Sequence, residues 1–264
     1  MKKNLNKDII VITGASGGIG KELAIEVAKQ GGTPVLLARS IDKLRAVSEH
    51  ICCTTGIKAP IYTLDVADLN AVETVFKAIY TEVGAISALI NNAGFAVFDT
   101  VTDADLLDME NMFKVNVFGT IACTKQVLPY MIMQGYGHII FIASVASKIP
   151  TPKASVYSAT KHAVLGFANA LRMELHNSPL HVSVVNPGPV RTDFFNVADK
   201  SGDYEKNVQS YMLEPAYVSK KTAHLLKKPK REINLPIWMG AGAILYQLCP
   251  TIFQKMLGKH MNKK

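Results

Sequence analysis

The stretch DIIVITGASGGIG, residues 8–20, joins an apolar, β-branched run of strand length to a glycine turn, and the segment Gly18–Gln30 that follows has helical spacing. Glycines at such a junction let the backbone turn sharply and approach a pyrophosphate. The free N–H groups and positive dipole end of the next helix then receive the charge. The spacing Gly14-x3-Gly18-x-Gly20 differs from the common GxGxxG fingerprint. Taken alone, it favours a phosphate cradle over a mere tight strand-to-helix turn. Ser16, Gly17, Gly18 and Ile19 lie where phosphates would be held, with Gly14 and Gly20 shaping the turn.

Outward from this turn the alternation continues. Apolar runs recur at 34–38 (PVLLA), 61–66 (IYTLDV), 86–91 (ISALIN), 138–144 (HIIFIAS), 181–186 (HVSVVN) and 232–238. Helical spacing fills 41–54, 68–83, 103–133, 155–176 and a segment near 215–227. Near-continuous hydrophobicity in short strands, rather than in/out alternation, marks strands covered on both faces, which is the signature of a parallel sheet. The expected fold is α/β: a single-domain, doubly wound, Rossmann-like parallel sheet of about seven strands with helices on both faces. Its ligands belong at the carboxyl ends of the strands.

A length of 264 residues suits one domain plus a short appendage. We expect a Rossmann-like domain over 1–238 and an extension over 239–264. A hydrophobic content of 48%, 18 Gly and 12 Pro exclude disordered and collagen-like classes. The net charge of +8 is unevenly placed: residues 220–264 hold ten Lys/Arg against the single acid Glu232, and the rest of the chain is near neutral. A near-neutral body with a basic, apolar tail argues against nucleic acid and for an anionic surface or a partner groove. Four cysteines, with Cys52 and Cys53 adjacent and no CxxC, offer neither a disulfide framework nor metal-ligand spacing, which suits a reducing, cytoplasmic compartment. The apolar run near the start is bounded by Asp8 and Gly14 and is too short for a signal peptide.

The end of the second strand, where an acid would hold the ribose hydroxyls of NAD, reads Ala38-Arg39-Ser40. A guanidinium there grips a 2′-phosphate in a fork, so NADP(H) is preferred and NAD(H) remains possible. Asp65 and Val66, closing the third strand, belong near the adenine edge. On the helix that begins near Ser155, i,i+4 spacing puts Tyr157 and Lys161 on one face. An ammonium beside a phenol stabilises phenolate and brings its pKa toward neutrality, so Tyr157 can exchange a proton with an alcohol or ketone. Ser144, ending the fifth strand, can hydrogen-bond the same substrate oxygen. Asn116, a polar residue inside a long helix, needs partners, and a water linking it to Lys161 would supply one.

Together these residues resemble the short-chain dehydrogenase/reductase (SDR) family over roughly 8–195. The matching motifs are TGASGGIG at 13–20, NNAG at 91–94, NVFG at 116–119, Ser144, YSATK at 157–161 and NPGPVRT at 186–192. The resemblance implies that Tyr157 is the general acid/base and that Ser144 polarises the substrate carbonyl. It gives Lys161 the tuning of Tyr157 and the nicotinamide ribose, and Asn116 a relay water. It places Asn91, Asn92, Ala93 and Gly94 on the adenosine side, and Pro187, Gly188, Val190 and Thr192 at the nicotinamide carboxamide. It also implies a small-molecule carbonyl or alcohol substrate, no metal, and a homodimer or homotetramer built on the helices at 103–133 and 155–176. A binding protein on this scaffold, redox-sensing or membrane-associated and without turnover, is the alternative.

Segment 193–212 is polar with interspersed aromatics and no clear periodicity, and reads as a mobile substrate lid. Phe194, Phe195, Tyr204 and Tyr211 either wall an apolar pocket or pack the lid onto the body. The tail reads as an apolar helix containing Ala241, Ile244, Leu245, Leu248, Ile252, Phe253, Met256 and Leu257. It is too short to span a bilayer. Two readings stand: it lies in a membrane interface, peripheral to the inner face, or it docks on the body or a sister subunit. The resemblance implies a lipophilic substrate, since tails of this kind occur in family members that reduce lipophilic ketones.

Overall fold

A computed structural model describes residues 5, 6, 8–199, 201–253 and 255. The strand β1 (Ile9–Thr13) lies at the centre of the sheet, parallel to β2 (Thr33–Ala38) on one side and β4 (Ile86–Asn91) on the other. With β3 (Ile61–Thr63), β5 (His138–Ile142), β6 (His181–Pro187) and β7 (Glu232–Leu235), the order is β3-β2-β1-β4-β5-β6-β7, all parallel. Successive residues of β1 enter opposite apolar layers. Ile10 and Ile12 pack under the helices α1 (Gly18–Lys29), α2 (Ile41–Thr55) and α9 (Pro215–Lys227), while Val11 packs under α3 (Leu69–Glu82), α5 (Thr120–Gln134) and α6 (Ser155–Glu174). Each such strand side chain, buried on both faces, contributes roughly 1.5–3 kcal/mol. This is why the strands read as unbroken hydrophobic runs.

Several boundaries differ from expectation, for identifiable reasons. The third strand stops at Thr63 because its only neighbour, β2, ends at Ala38, opposite Thr63. Asp65 and Val66 therefore lie in the turn beyond the strand. The fifth strand stops at Ile142, and Ser144 instead caps a short 3₁₀ turn, Val145–Ser147. The last strand stops at Leu235, before Pro236, which has no N–H for the ladder. The helix expected over 103–133 starts at α4 (Leu106–Phe113), capped by the Asp105 carboxylate, which accepts from Leu107 N at 2.7 Å. It then widens into a π turn at Lys114–Gly119 before α5.

Segment 193–212 is helical: α7 (Phe194–Ala198), α8 (Asp203–Val208) and a 3₁₀ turn at Gln209–Tyr211. The Asp199 carboxylate ties the connection together, accepting from Ser201 Oγ at 2.8 Å and from Glu205 N at 3.0 Å. The tail helix α10 (Ile237–Leu248) begins two residues before the expected boundary and ends ahead of Pro250, and one further turn carries Phe253. Met256 and Leu257 lie outside the described residues. The basic charge of 220–264 is also divided. Lys227, Lys228, Lys230 and Arg231 precede β7 at the amino edge of the sheet, whereas α10 follows β7 at the carboxyl edge.

Candidate active site

A cavity of about 1210 Å³ runs across the carboxyl edge of the sheet, from the turn after β1 to α10. A small-molecule pocket is usually roughly 300–1,000 Å³, so this one has room for a dinucleotide and a substrate together. All residues expected at the site line it except Gly20, Asn91 and Asn116.

The phosphate end is built of backbone. Gly14 and Gly18 have φ of +66° and +52°, which other residues adopt at a cost. A Cβ at Gly20 would come within 2.2 Å of Gly14 O, so this glycine shapes the turn from behind and does not face the cavity. The helix α1 opens here with no acid in its first turn and no side chain capping it, leaving its N–H groups and dipole for an anion. Thr13 Oγ1 accepts from Asn92 N and Ala93 N at 3.0 Å each, and Asn92 Nδ2 donates to Thr13 O and Gly14 O at 3.0 and 3.1 Å. The 91–94 turn is thereby bolted to the glycine turn. Asn91 points away from the cavity, donating to Thr124 Oγ1 at 3.1 Å in the layer below.

Arg39 and Ser40 line the adenosine side, with Asp65 and Val66 opposite. Lys43 joins them, a residue sequence reasoning missed although it sits four positions after Arg39, in the first turn of α2. Neither cation has an ion-pair partner among the described residues. Asp65 Oδ1 accepts from Ala67 N at 3.0 Å, which ties the nearby acid to its own turn. Free N–H groups, close backbone and two unpaired cations suit the phosphates of a dinucleotide.

At the chemical end, Tyr157 and Lys161 lie on the buried face of α6. Ser144 Oγ accepts from Ala146 N at 3.0 Å and is hydrogen-bonded to the Tyr157 phenol. Lys161 Nζ donates to Ile142 O at 3.1 Å and stands over the Tyr157 ring, 5.7 Å from its centroid. Burial therefore decides both acidities. It pushes the Tyr157 phenol up to about 12, against the opposing Ser144 hydrogen bond, and the Lys161 ammonium down to about 8. The expected lowering of the phenol by its neighbour is reversed in the protein alone.

Asn116 occupies the π turn behind the cavity. Its Oδ1 accepts from Phe95 N at 3.0 Å, and its Nδ2 donates to Phe95 O at 2.9 Å and to Thr160 Oγ1 at 3.1 Å. Both amide hydrogens are thus committed to protein, and only the second lone pair of Oδ1 remains for a water. Gly94 packs directly over this atom and Lys161: a Cβ there would be 3.0 Å from Asn116 Oδ1 and 3.5 Å from Lys161 Nζ.

The other end is apolar. Phe98 is the hub of an aromatic cluster, with its ring centroid 6.0 Å from Tyr157, 6.5 Å from Phe194, 6.4 Å from Phe195 and 5.0 Å from Tyr204. Phe194, Phe195, Tyr204 and Tyr211 all line the cavity, so they wall a pocket and pack the segment at once. The tail helix adds Trp238, Met239, Gly242 and Leu245, and the turn beyond it Phe253. It docks through small residues: a Cβ at Gly188 would meet Met239 Sδ at 2.6 Å, and one at Gly240 would meet Asn234 Cβ at 2.9 Å. Beneath it, Ser147 Oγ donates to Asn186 Oδ1 at 3.1 Å, and Asn186 Nδ2 donates to Asn234 Oδ1 at 3.0 Å, which joins the Ser144 turn to β6, β7 and the helix.

Residues 8–202 match the sequence profile of the short chain dehydrogenases. Among curated relatives, dehydrogenase/reductase SDR family protein 7-like of Drosophila melanogaster is 31% identical over 271 residues, covering 99% of this chain and 83% of the relative. SDR family member 7B of Rattus norvegicus is 30% identical over 278 residues, covering 100% of this chain and 84% of the relative. Among solved structures, a serine dehydrogenase complexed with NADP+ superposes with a TM-score of 0.81 at 31% identity, covering 87% of this chain and 95% of that one. An actinorhodin polyketide ketoreductase variant with NADPH superposes with a TM-score of 0.78 at 27% identity, again over 87% of this chain and 95% of that one. The glycine turn, the tyrosine–lysine pair and these matches converge: the chain belongs to the short-chain dehydrogenase/reductase family and is an NAD(P)-dependent oxidoreductase.

Proposed function

We propose that the protein interconverts a ketone or aldehyde and the corresponding alcohol, with NADP(H) preferred over NAD(H) and a hydrophobic substrate. One observation carries this reading: Ser144, Tyr157 and Lys161 stand where a cofactor-sized cleft meets an aromatic pocket within one cavity. The unpaired Arg39 and Lys43 support the phosphorylated cofactor. The glycine turn and α1 would hold the pyrophosphate, Lys161 the nicotinamide ribose, and Pro187, Gly188, Val190 and Thr192 the carboxamide side. When bound, the nicotinamide supplies or accepts the hydride.

The protein's own part is orientation and proton handling. Ser144 Oγ and the Tyr157 hydroxyl converge on the substrate oxygen, and the phenol, held protonated by burial, donates its proton there during reduction. In the oxidative direction Tyr157 acts as phenolate and takes the alcohol proton, a form that burial in the protein alone opposes. Protons return to Tyr157 past Lys161, with Asn116 Oδ1 beside it as the seat of a relay water.

Residues 193–212 act as the lid, and 239–264 as an extension of the catalytic unit. Exposed Leu106, Leu107, Phe118, Ile132, Met133 and Met173 on α4, α5, α6 and the π turn between α4 and α5 support a homodimer or homotetramer. The free thiols Cys52, Cys53, Cys123 and Cys249 fit a cytoplasmic setting, with peripheral membrane contact through the tail. The test is turnover of a panel of neutral ketones with NADPH and with NADH. Consumption of NADPH at a higher kcat/KM than NADH, rising with the apolar size of the ketone, is the expected result. No consumption across the panel would refute the reading.

A further inference from the structure

The apolar half of the cavity does not close on the protein. Trp238 and Leu245 line it and are nevertheless 60% and 50% exposed, so the same two side chains face the pocket and the outside. Ile237, Ile244, Leu248 and Ile252 continue that apolar surface outward, away from the cavity. The helix α10 carries no charged residue. From Ile233 to Lys264 the chain holds four lysines, Lys255, Lys259, Lys263 and Lys264, and no acid. Among the described residues, no helix is long and apolar enough to cross a membrane.

These features select one kind of occupant. A contiguous apolar face followed by uncompensated lysines matches an interface helix on an anionic bilayer, with the side chains in the acyl boundary and the ammonium groups among the headgroups. A two-fold contact between copies through this helix would bring two sets of lysines together, with no acid on this stretch to pair them. Among the described residues, the substrate half also lacks a cation. The basic residues lining the cavity are Arg39 and Lys43 at the phosphate end and Lys161 at the chemical centre. No cationic side chain among the described residues of the apolar half would pair with a carboxylate or phosphate.

We propose that α10 lies on an anionic phospholipid surface and that the mouth between Trp238 and Leu245 opens into the lipid. The substrate is then a neutral, bilayer-dissolved carbonyl or alcohol that enters from the side without crossing water. This inference rests on the reading of the cavity as a carbonyl/alcohol site, and its test separates the two.

Trp238 is the only tryptophan in the sequence, so intrinsic fluorescence of the full chain reports on the mouth itself. The chain is titrated with phosphatidylcholine vesicles, with and without phosphatidylserine. Turnover with NADPH is measured on a water-soluble short ketone and on a long-chain ketone carried in the vesicles. We expect the Trp238 emission to shift to the blue, and to be quenched by brominated lipid, with the phosphatidylserine vesicles. The double variant Ile244→Glu/Leu248→Glu, whose positions do not line the cavity, should lose vesicle affinity by on the order of a hundredfold. It should keep its NADPH affinity and soluble-ketone turnover while losing about tenfold or more on the vesicle-borne ketone. Unchanged Trp238 emission with either vesicle would overturn the inference. So would equal turnover of the vesicle-borne ketone by variant and wild type. A variant that instead splits a wild-type oligomer into smaller species, with vesicles having no effect, would assign the face to a second copy and overturn it too. Absence of turnover on the soluble ketone by the wild type would refute the reductase reading itself, whatever the vesicles show.

Discussion

The two ends of the cavity are made by different means. The phosphate end is backbone: a glycine turn, a helix start and the 91–94 turn, locked to one another by Thr13 and Asn92 over distances near 3.0 Å. The substrate end is side chains gathered from Phe98, the 194–211 helices and α10, held by ring contacts and one polar chain through Asn186. A backbone cradle tolerates little change in shape because its glycines press on main chain and on side chains such as Asn92 that are themselves bonded to it. An aromatic wall tolerates exchange of one ring for another, because side chains repack. The first is suited to a constant cofactor, the second to a substrate that differs from relative to relative.

That contrast makes graded predictions. The largest effect is expected for Gly20→Ala, where the new methyl meets Gly14 O at 2.2 Å and Asn92 Nδ2 at 2.6 Å. Chemical denaturation should show a loss of roughly 1–3 kcal/mol, with NADPH binding weakened in parallel. An unchanged midpoint and affinity would mean that the turn has slack. Next, Arg39→Ala should raise the NADPH dissociation constant by roughly 1–3 kcal/mol more than that of NADH. Isothermal titration of both nucleotides checks this, and equal losses would show that Arg39 does not read the 2′-phosphate. At the other end, Phe98→Ala removes the hub ring. It should raise KM for bulky apolar ketones by about tenfold, as an aromatic contact or two is lost, with NADPH affinity unaltered. A change in both constants would erase the distinction between the two ends.

The smallest effect expected is a pH slope. Lys161 is depressed to about 8 in the folded protein, so between there and the ordinary lysine value the unfolded chain holds more protons, and stability rises with pH. Tyr157 is raised to about 12, so between the ordinary phenol value and there the folded protein holds more protons, and stability falls. Comparing wild type with Lys161→Met by denaturation across this range should isolate the rise. Identical slopes would show that burial does not set the Lys161 acidity.

Legibility in the sequence follows the same divide. The sheet and the phosphate turn were readable because their determinants are local: unbroken β-branched runs such as Ile9–Ile12 and glycines at fixed offsets. The structure departs from the sequence pattern wherever a neighbour sets the outcome. The strand before Asp65 ends with its partner β2, and the one before Ser144 gives way to a 3₁₀ turn. Asn91 and Gly20 carry the motif's spelling but serve it from behind. For the Tyr157 acidity, the cation one helical turn away is visible in the sequence, whereas the burial that opposes it is not. The wall formed by Trp238, Met239 and Leu245 was unreadable, since it depends on Gly188 and Gly240 admitting a helix nearly fifty residues beyond β6. Lys43, in the first turn of the helix that follows Arg39, is within reach of a simple rule. Its role appears only when both are seen on one face of the cavity.

The central claim is that the Tyr157 hydroxyl delivers the proton to a substrate oxygen held beside the cofactor. The most direct measurement is NADPH-dependent ketone turnover by Tyr157→Phe, alongside NADPH titration of the same variant. The account predicts unchanged nucleotide affinity and a fall in kcat of about 10²–10⁴-fold. Turnover equal to wild type, with nucleotide affinity intact, would contradict it.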